Sequence, residues 1–248
     1  MKTMKSKFYS LALAAGMLSL TACSDDNTND SNNDKGNGIE NGSILKGTIT
    51  EDVTLKAGNT YKLSGEYIVE AGATLNIEEG VKIISVYDNI VDYILVKQGA
   101  KINAVGTPDK PIVMTSEKEE PGAWGGIHIC GKAHTNAEGG KGSSEIGGAV
   151  YGGNDDADNS GTLQYIRLEY TGFAFDEEHE ANGISFYGVG NGTIVDHCEA
   201  YKGSDDGFEF FGGSVNVSNM VVVSCSDDSF DWTEGWNGKG TDLVAYQE

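Results

Sequence analysis

The chain has little of several residue types that shape other folds. Its 248 residues include three prolines and four cysteines. No cysteine spacing fits a zinc site. If Cys23 is modified, three cysteines remain, so at least one is unpaired. We expect Cys130, Cys198 and Cys225 to be small buried residues in strands; one disulfide among them is the alternative.

Positive charge is also scarce, and Arg167 is the only arginine. The formal net charge is −21, and it becomes −24 without the three lysines of the first 22 residues. A polymer of phosphates would be repelled, so nucleic acid is excluded as a partner. An acidic polysaccharide would be repelled as well, unless a metal ion bridged it.

Helical periodicity is missing too, since no stretch after residue 23 has an apolar period of 3.6 residues over three turns. The 35 glycines are about twice the average share. Short segments rich in Ile, Val, Tyr and Phe alternate with Gly or Asn, as in "YIVEAG", "TLNIEEG" and "MVVVSC". This pattern predicts short β-strands joined by tight corners.

Residues 1–22 have the pattern of a secretory signal peptide. A basic start with Lys2, Lys5 and Lys7 precedes an apolar stretch, residues 8–20, that is too short to span a bilayer. The end of the segment, "LTAC", resembles a bacterial lipobox. The resemblance implies cleavage before Cys23 and lipidation of its thiol. An ordinary signal peptide with a chance cysteine at its boundary is the alternative.

Residues 23–42 follow as a lipidated cysteine and a tether of Asn, Asp and Gly. This composition cannot bury enough surface to offset the entropy of ordering, so we expect disorder. Asp25 and Asp26 are similar to surface-export tags of some Gram-negative lipoproteins. The predicted location is the outer membrane, with the protein exposed at the cell surface. The remainder, residues 43–248, is long enough for one sizeable domain.

Blocks of sequence return at intervals of 20 to 30 residues. "SDDGFEFFGG" at 204–213 is echoed by "SDDSFDWTEG" at 226–235, an offset of 22 residues. "VEAGATLNI" at 69–77 returns as "VKQGAKINA" at 96–104, and "GTLQYIRLEYTG" at 161–172 partly returns as "GTIVDHCEAYKG" at 192–203. Such periods indicate a repeat architecture in which coils of short strands stack on one another. Asn-Gly pairs could close hairpins, but hairpins do not predict near-identical blocks one period apart.

Longer motifs carry a more specific resemblance. "YKLSGEYIVEAGATLNIEEG", "GAKINAVGTPDKPIVMTS", "GAWGGIHICGKA" and "NGISFYGVGNGTIVDH" resemble a family of bacterial surface proteins with right-handed parallel β-helices of pectin-lyase-like shape. The resemblance covers nearly all of residues 44–240 and implies an all-β, right-handed parallel β-helix. Such chains usually continue past the second Asp-Asp block, so we expect this helix to be incomplete at its C-terminal end.

The two Asp-Asp blocks hold the candidate site residues. Strand alternation places Phe208 and Phe210 on one face and Glu209 on the other, and Phe230 and Trp232 repeat the aromatic face one coil later. We expect the aromatic residues to fill the core. Exposed Trp232 or Trp236 could alternatively stack on a sugar ring.

Stacked coils would bring six acidic side chains to one corner. Repulsion between carboxylates one coil apart can be relieved by backbone N–H groups in the turns, by a shared proton or by a cation. Calcium–oxygen distances allow Ca²⁺ to fit between stacked carboxylates. The candidate Ca²⁺ ligands are Asp205, Asp206, Glu209, Asp227, Asp228 and Asp231.

Three possibilities remain open, of which the last is a structural or degenerate remnant. The first is a membrane-anchored surface β-helix that binds glycan or another surface ligand, with calcium as a candidate cofactor. The alternative is a polysaccharide lyase or glycoside hydrolase, in which Asp205 would form a catalytic pair with Asp227 or Asp228 and His197 would be a further candidate. "VDHC" matches a pectate-lyase stretch only in part, and no arginine follows Arg167 to act as the base.

Overall fold

The computed structural model describes residues 38–88, 90–174 and 180–248. The predicted signal peptide, Cys23 and most of the predicted tether lie outside the described residues. No helix in the described part of the chain is long and apolar enough to cross a membrane.

Short strands dominate the described residues, together with a single turn of 3₁₀ helix at Glu138–Gly140. The strands are β1 (Gly38–Ile39), β2 (Ile44–Ile49), β3 (Val53–Leu55), β4 (Thr60–Val69), β5 (Thr74–Ile77), β6 (Lys82–Ser85), β7 (Tyr93–Val96), β8 (Lys101–Val105), β9 (Ile112–Ser116), β10 (Ile127–Cys130), β11 (Gly142–Ser143), β12 (Val150–Tyr151), β13 (Gly161–Glu169), β14 (Ile184–Tyr187), β15 (Ile194–Tyr201), β16 (Phe208–Phe211), β17 (Asn216–Val223), β18 (Phe230–Thr233) and β19 (Gly240–Tyr246).

These strands form three faces that the chain visits in turn. The first face contains β1, β3, β5, β8 and the starts of β13, β15, β17 and β19. The second contains the starts of β2 and β4, then β6, β9 and the ends of β13, β15, β17 and β19. The third contains the ends of β2 and β4, then β7, β10, β14, β16 and β18. All of these pairings are parallel, which confirms the predicted parallel β-helix.

The register of the late coils confirms the 22-residue interval. Phe208 pairs with Phe230, and Glu209 pairs with Asp231. The 27-residue interval is confirmed as well, since Thr74 pairs with Lys101. The segment between β10 and β13 leaves the regular coil. The stacking continues on either side of it, since β9 pairs with β13 and β10 pairs with β14.

The third pair of similar blocks, at 161–172 and 192–203, is aligned differently by the sequence match and by the strand register. Matching Gly-Thr at 161 and 192 implies an offset of 31, whereas Thr162 pairs with Ile194, an offset of 32. A slip of one residue turns every side chain to the opposite face of a strand. The observed register keeps Leu163 over Val195 inside the coil, and it leaves Ile194 outside, 51% exposed.

Aromatic rings fill the core of the late coils, as predicted for Phe208 and Phe210. Phe210 stacks on Phe186 with ring centroids 5.1 Å apart. The expectation for Trp232 was wrong: it pairs in register with Phe210 but is 60% exposed. Trp236, from the turn after β18, takes its place and stacks on Phe210 at 4.6 Å.

A second apolar layer covers the outside of the third face. Strands β11 and β12 pair antiparallel, and the segment between them packs Ile146 and Ala149 against Tyr93, Leu95 and Tyr187. This is the one antiparallel strand pair of the described residues, and it does not use an Asn-Gly turn. The three predicted buried cysteines, Cys130, Cys198 and Cys225, are indeed buried and free of disulfides.

Candidate functional site: an acidic corner of the late coils

The turns between the second and third faces bring acidic side chains of two coils together. We call Asp205, Asp206, Glu209, Asp227 and Asp231 the acidic corner. Asp205 and Asp206 precede β16, and Asp227 lies at the equivalent place before β18. The corner exists because the 22-residue coil repeats the same acidic sequence at the same turn.

Three carboxylates meet at the outer part of the corner. One oxygen each from Asp205, Asp206 and Asp227 lie within 4.8 Å of one another. Asp205 and Asp206 are 9% and 8% exposed, whereas Asp227 is exposed. This group can therefore be reached from solvent through Asp227.

Three carboxylates also meet at the inner part of the corner, and Asp206 belongs to both groups. One oxygen each from Asp206, Glu209 and Asp231 lie within 4.8 Å of one another. Glu209 and Asp231 are partly buried on the outward side of the third face. The shared Asp206 couples the charges of the two groups.

The sixth predicted ligand, Asp228, has a different observed contact. Its backbone N–H donates to Asp206 Oδ1 at 2.8 Å. This is the turn-capping contact that Asp side chains often make. Asp206 can therefore accept this hydrogen bond with Oδ1 and still offer Oδ2 to a cation.

Burial and mutual repulsion raise the pKa values of these acids. Burial, then the charges of Glu180 and Asp227, raise the pKa of Asp205 to about 6. Burial also raises the pKa of Asp206 to about 7. The hydrogen bond from the Asp228 N–H lowers this pKa in part, and the charge of Asp205 raises it further. Burial is the largest cause of both shifts, so an ionised carboxylate at this corner is costly unless a counter-charge lies beside it.

Glu209 has the largest shift of the corner. Burial raises its pKa to about 9, and the charges of Glu145 and Asp206 contribute in the same direction. Asn182 opposes the shift by donating from Nδ2 to Glu209 Oε2 at 2.6 Å. At neutral pH and without a cation, Glu209 therefore holds a proton.

Asn182 links the corner to a buried polar row outside the third face. Its Nδ2 also contacts Ser185 Oγ at 3.0 Å, and Ser185 lies between His128 and Glu209 in the strand register. Asn182 is 1% exposed, and its Oδ1 has no hydrogen-bond partner among the described residues. The carboxylates of the acidic corner make up an all-oxygen donor set, which suits a hard cation such as Ca²⁺.

The other predicted site residues lie elsewhere. His197 sits at the bend between the first and second faces, where its Nδ1 is 2.8 Å from Asp196 Oδ2, so it is not part of the acidic corner with Asp205 and Asp227. Trp232 is exposed, while Trp236 packs one ring face on Phe210. Ligand stacking by these two residues stays a prediction.

Sequence reasoning missed Asn182 and Glu145 as neighbours of the corner. Asn182 occupies the position of Asp206 one coil earlier, since Ile184 pairs with Phe208, and the match of "NGISFYG" at 182–188 to "DGFEFFG" at 206–212 is the signal that could have found it. Glu145 lies between β11 and β12, in an excursion that no repeat relates to the Asp-Asp blocks. The spacing of the acidic blocks therefore located the corner but could not reveal what the excursions add to it.

The geometry defines the class of protein as a parallel β-helix with an acidic corner. A family model described as "Pectate-lyase like beta helix domain" matches residues 47–248, and the chain belongs to this family. No curated protein and no solved structure matches the chain.

The raised pKa of Glu209 predicts how stability depends on pH. The folded protein retains this proton up to about pH 9, whereas the unfolded chain loses it near 4.5. Glu209 should therefore contribute most to the free energy of unfolding of the metal-free protein below pH 4.5. This contribution should fall as the pH rises from 4.5 towards 9. Glu209→Gln should remove this fall and stabilise the protein at pH 8 by about 1 kcal/mol or more, because one pKa unit corresponds to about 1.4 kcal/mol.

Urea unfolding in chelator at pH 5 and pH 8 measures this effect. The exposed Glu51 provides the control, since Glu51→Gln should leave both values within about 0.5 kcal/mol of the wild type. Equal pH dependence in the wild type and in Glu209→Gln would contradict the assignment.

Proposed function

We propose that the protein is a membrane-anchored, cell-surface β-helix protein that binds glycan, with a divalent cation held at the acidic corner. The convergence of the carboxylates of two stacked coils, with Asp206 in both groups, is the observation that carries the cation part. The lipobox and tether support the anchor. The family supports a β-helix, whose long faces suit an extended ligand.

The residues present fit a calcium ion. Asp205, Asp206 and Asp227 would hold it at the outer group, and Asp206, Glu209 and Asp231 at the inner group. The raised pKa values of Asp206 and Glu209 mark carboxyl groups whose ionised form is costly without a counter-charge; a bound cation would supply that charge in place of the proton. When bound, Ca²⁺ would supply positive charge at a corner that otherwise repels anionic ligands.

Calcium binding should stabilise the folded protein. A ligand at about 100 times its dissociation constant adds about 2.7 kcal/mol, so we expect the melting temperature to rise by several degrees on addition of Ca²⁺. Asp206→Asn should abolish the rise because Asp206 is shared by both groups. The substitution retains Oδ1, which can still accept the hydrogen bond from Asp228.

Thermal melts with chelator and with Ca²⁺ test this proposal. Asp109 is exposed and remote from the corner in sequence, so Asp109→Asn is the matched control and should keep the full response. Isothermal titration gives the number of ions, and Glu209→Gln and Asp227→Asn separate the inner from the outer group. A wild type without any response, or an unchanged response in Asp206→Asn, would refute the cation site.

The membrane anchor has its own prediction. Cys23→Ser should move the protein from the membrane fraction to the soluble fraction, because the thiol that carries the acyl chains is lost. Ser24→Ala changes the next residue and should leave the protein in the membrane fraction. Protease treatment of intact cells should digest the wild type if it is displayed at the surface. Retention of Cys23→Ser in washed membranes would disprove lipid anchoring.

A polysaccharide lyase or glycoside hydrolase acting at the acidic corner is the second candidate. Asp205, with its pKa raised to about 6, could hold a proton beside Asp227, and glycosidases use such carboxylate pairs. We expect an enzyme of this type to release reducing ends or unsaturated products from pectate, alginate or a neutral glycan. Asp205→Asn and Asp227→Asn should each lower that rate by at least about 100-fold.

Incubation of the wild type with these polymers, with and without chelator, tests the enzymatic candidate. The control Asp109→Asn should retain wild-type activity. A wild type that releases no product from any of the polymers, or Asp variants that remain fully active, would exclude catalysis at the corner.

A further inference from the structure

A different corner of the late coils carries a second constellation of polar residues. The bend between the first and second faces places Tyr165, His197 and Asn219 at equivalent positions of successive coils. All three have left-handed backbone conformations, with φ of 52°, 53° and 53°. Such a conformation turns the chain sharply and projects these side chains away from the core.

Asp196 orients the imidazole at this bend. Asp196 Oδ2 lies 2.8 Å from His197 Nδ1, and its Oδ1 accepts hydrogen bonds from Ser218 Oγ and Asn219 Nδ2, each at 2.8 Å. Burial raises the pKa of Asp196, but the hydrogen bonds from Asn219, Ser218 and His197 outweigh burial and lower the pKa to about 2. Asp196 is therefore ionised at neutral pH and fixes the ring, so that Nε2 is the nitrogen left for a ligand.

The bend opens onto a concavity of about 300 Å³, here called the bend pocket. Its volume is at the lower end of the range for small-molecule sites, roughly 300–1,000 Å³. The rings of Tyr165 and His197 stack in its wall with centroids 4.5 Å apart and planes inclined by 23°. Its lining includes Pro108, Pro111, Tyr165, Arg167, His197 and Glu199.

The positive charge of Arg167 in the bend pocket is compensated by neighbouring carboxylates. Arg167 Nε is 2.7 Å from Glu169 Oε1 and 3.8 Å from Glu199 Oε2, and the guanidinium lies over the Tyr201 ring at 4.7 Å. Because Arg167 is already paired with carboxylates, an anionic ligand would meet no uncompensated positive charge. The pocket suits an uncharged ligand with both an apolar face and hydroxyl groups.

A sugar ring has this combination of properties. Its axial C–H groups form apolar patches that pack on aromatic rings and proline, and its hydroxyl groups bond to charged and amide side chains at the ring edge. We propose that the bend pocket binds one pyranose unit of an uncharged glycan, with Tyr165 and His197 forming the packing surface and Arg167, Glu199 and Asn219 the polar edge. This inference rests on the proposed glycan-binding function and gives it a location and a ligand class.

A neighbouring cleft would let a longer glycan continue along the first face. This cleft, of about 730 Å³, includes Thr54, Asn76 and Asn103 in its lining, and Thr107 lines both concavities. Asn76 and Asn103 occupy one row of the first face, where Asn103 Nδ2 donates to Asn76 Oδ1 at 3.2 Å. Uncharged amide groups at successive coils match repeated hydroxyl groups of a chain.

Binding of neutral glycans tests the proposal. An array of uncharged oligosaccharides identifies the best binder for wild-type protein, and calorimetry then measures its affinity in chelator. His197→Asn and Tyr165→Asn remove the rings but keep a residue that tolerates a left-handed backbone. Each should weaken binding at least 10-fold. Ser224→Asn is the matched control: φ at Ser224 is 52°, Ser224 does not line the bend pocket, and this variant should bind as the wild type does.

A measurement on the wild type alone removes the dependence on correctly folded variants. The His197 and Tyr165 ring resonances should shift on addition of the neutral glycan. An array without any uncharged binder, ring resonances that do not respond, or full affinity in folded His197→Asn would each overturn the proposal. If only acidic glycans bind, with calcium and independently of His197, this inference fails and the proposed function stands. If no glycan binds, both fail.

Discussion

Parallel stacking in register is the constraint on which the rest of the structure depends. Within each face, an inner strand pairs with the strand one coil before and one coil after it, so a residue lies over its equivalent in the next coil. Inward positions then form apolar ladders, such as Phe186 over Phe210, and burial of these ladders supplies the main favourable term in folding. The same register also determines which outward-facing and corner side chains become neighbours.

The same register that stabilises the core forces like charges together at the acidic corner. Two unit charges roughly 4.8 Å apart repel by about 3.5 kcal/mol at an effective dielectric constant of about 20. The protein offsets this cost in part through the N–H of Asp228 and the amide of Asn182. Burial first, and repulsion between the carboxylates second, raise the pKa values of Asp206 and Glu209, and a proton or a cation would relieve both costs.

The sequence was sufficient to predict those features that repeat. The parallel β-helix, the 22-residue stacking of Phe208 and Phe230 and the meeting of the acids all follow from one periodic pattern. Prediction failed where the period is broken: Trp236 rather than Trp232 packs on Phe210, because a turn residue reaches the position that strand alternation assigns to Trp232. Asn182 and the bend pocket were not predicted. Asn182 lies one coil before Asp206, and Tyr165, His197 and Asn219 stack in successive coils, but the residue type changes from coil to coil, so a search for repeated acidic blocks does not find them.

The two corners of the late coils differ in charge although the same coils build both. At the acidic corner, carboxylates face one another with few donors between them. At the bend, Asp196 faces Ser218, Asn219 and His197, and its charge is satisfied without an ion. Since each corner is set by a few residues of the turn, a stack of similar coils can carry a corner of facing carboxylates and a pocket whose charges are paired. Their ligands would differ in charge, and binding at one would not require the other to be filled.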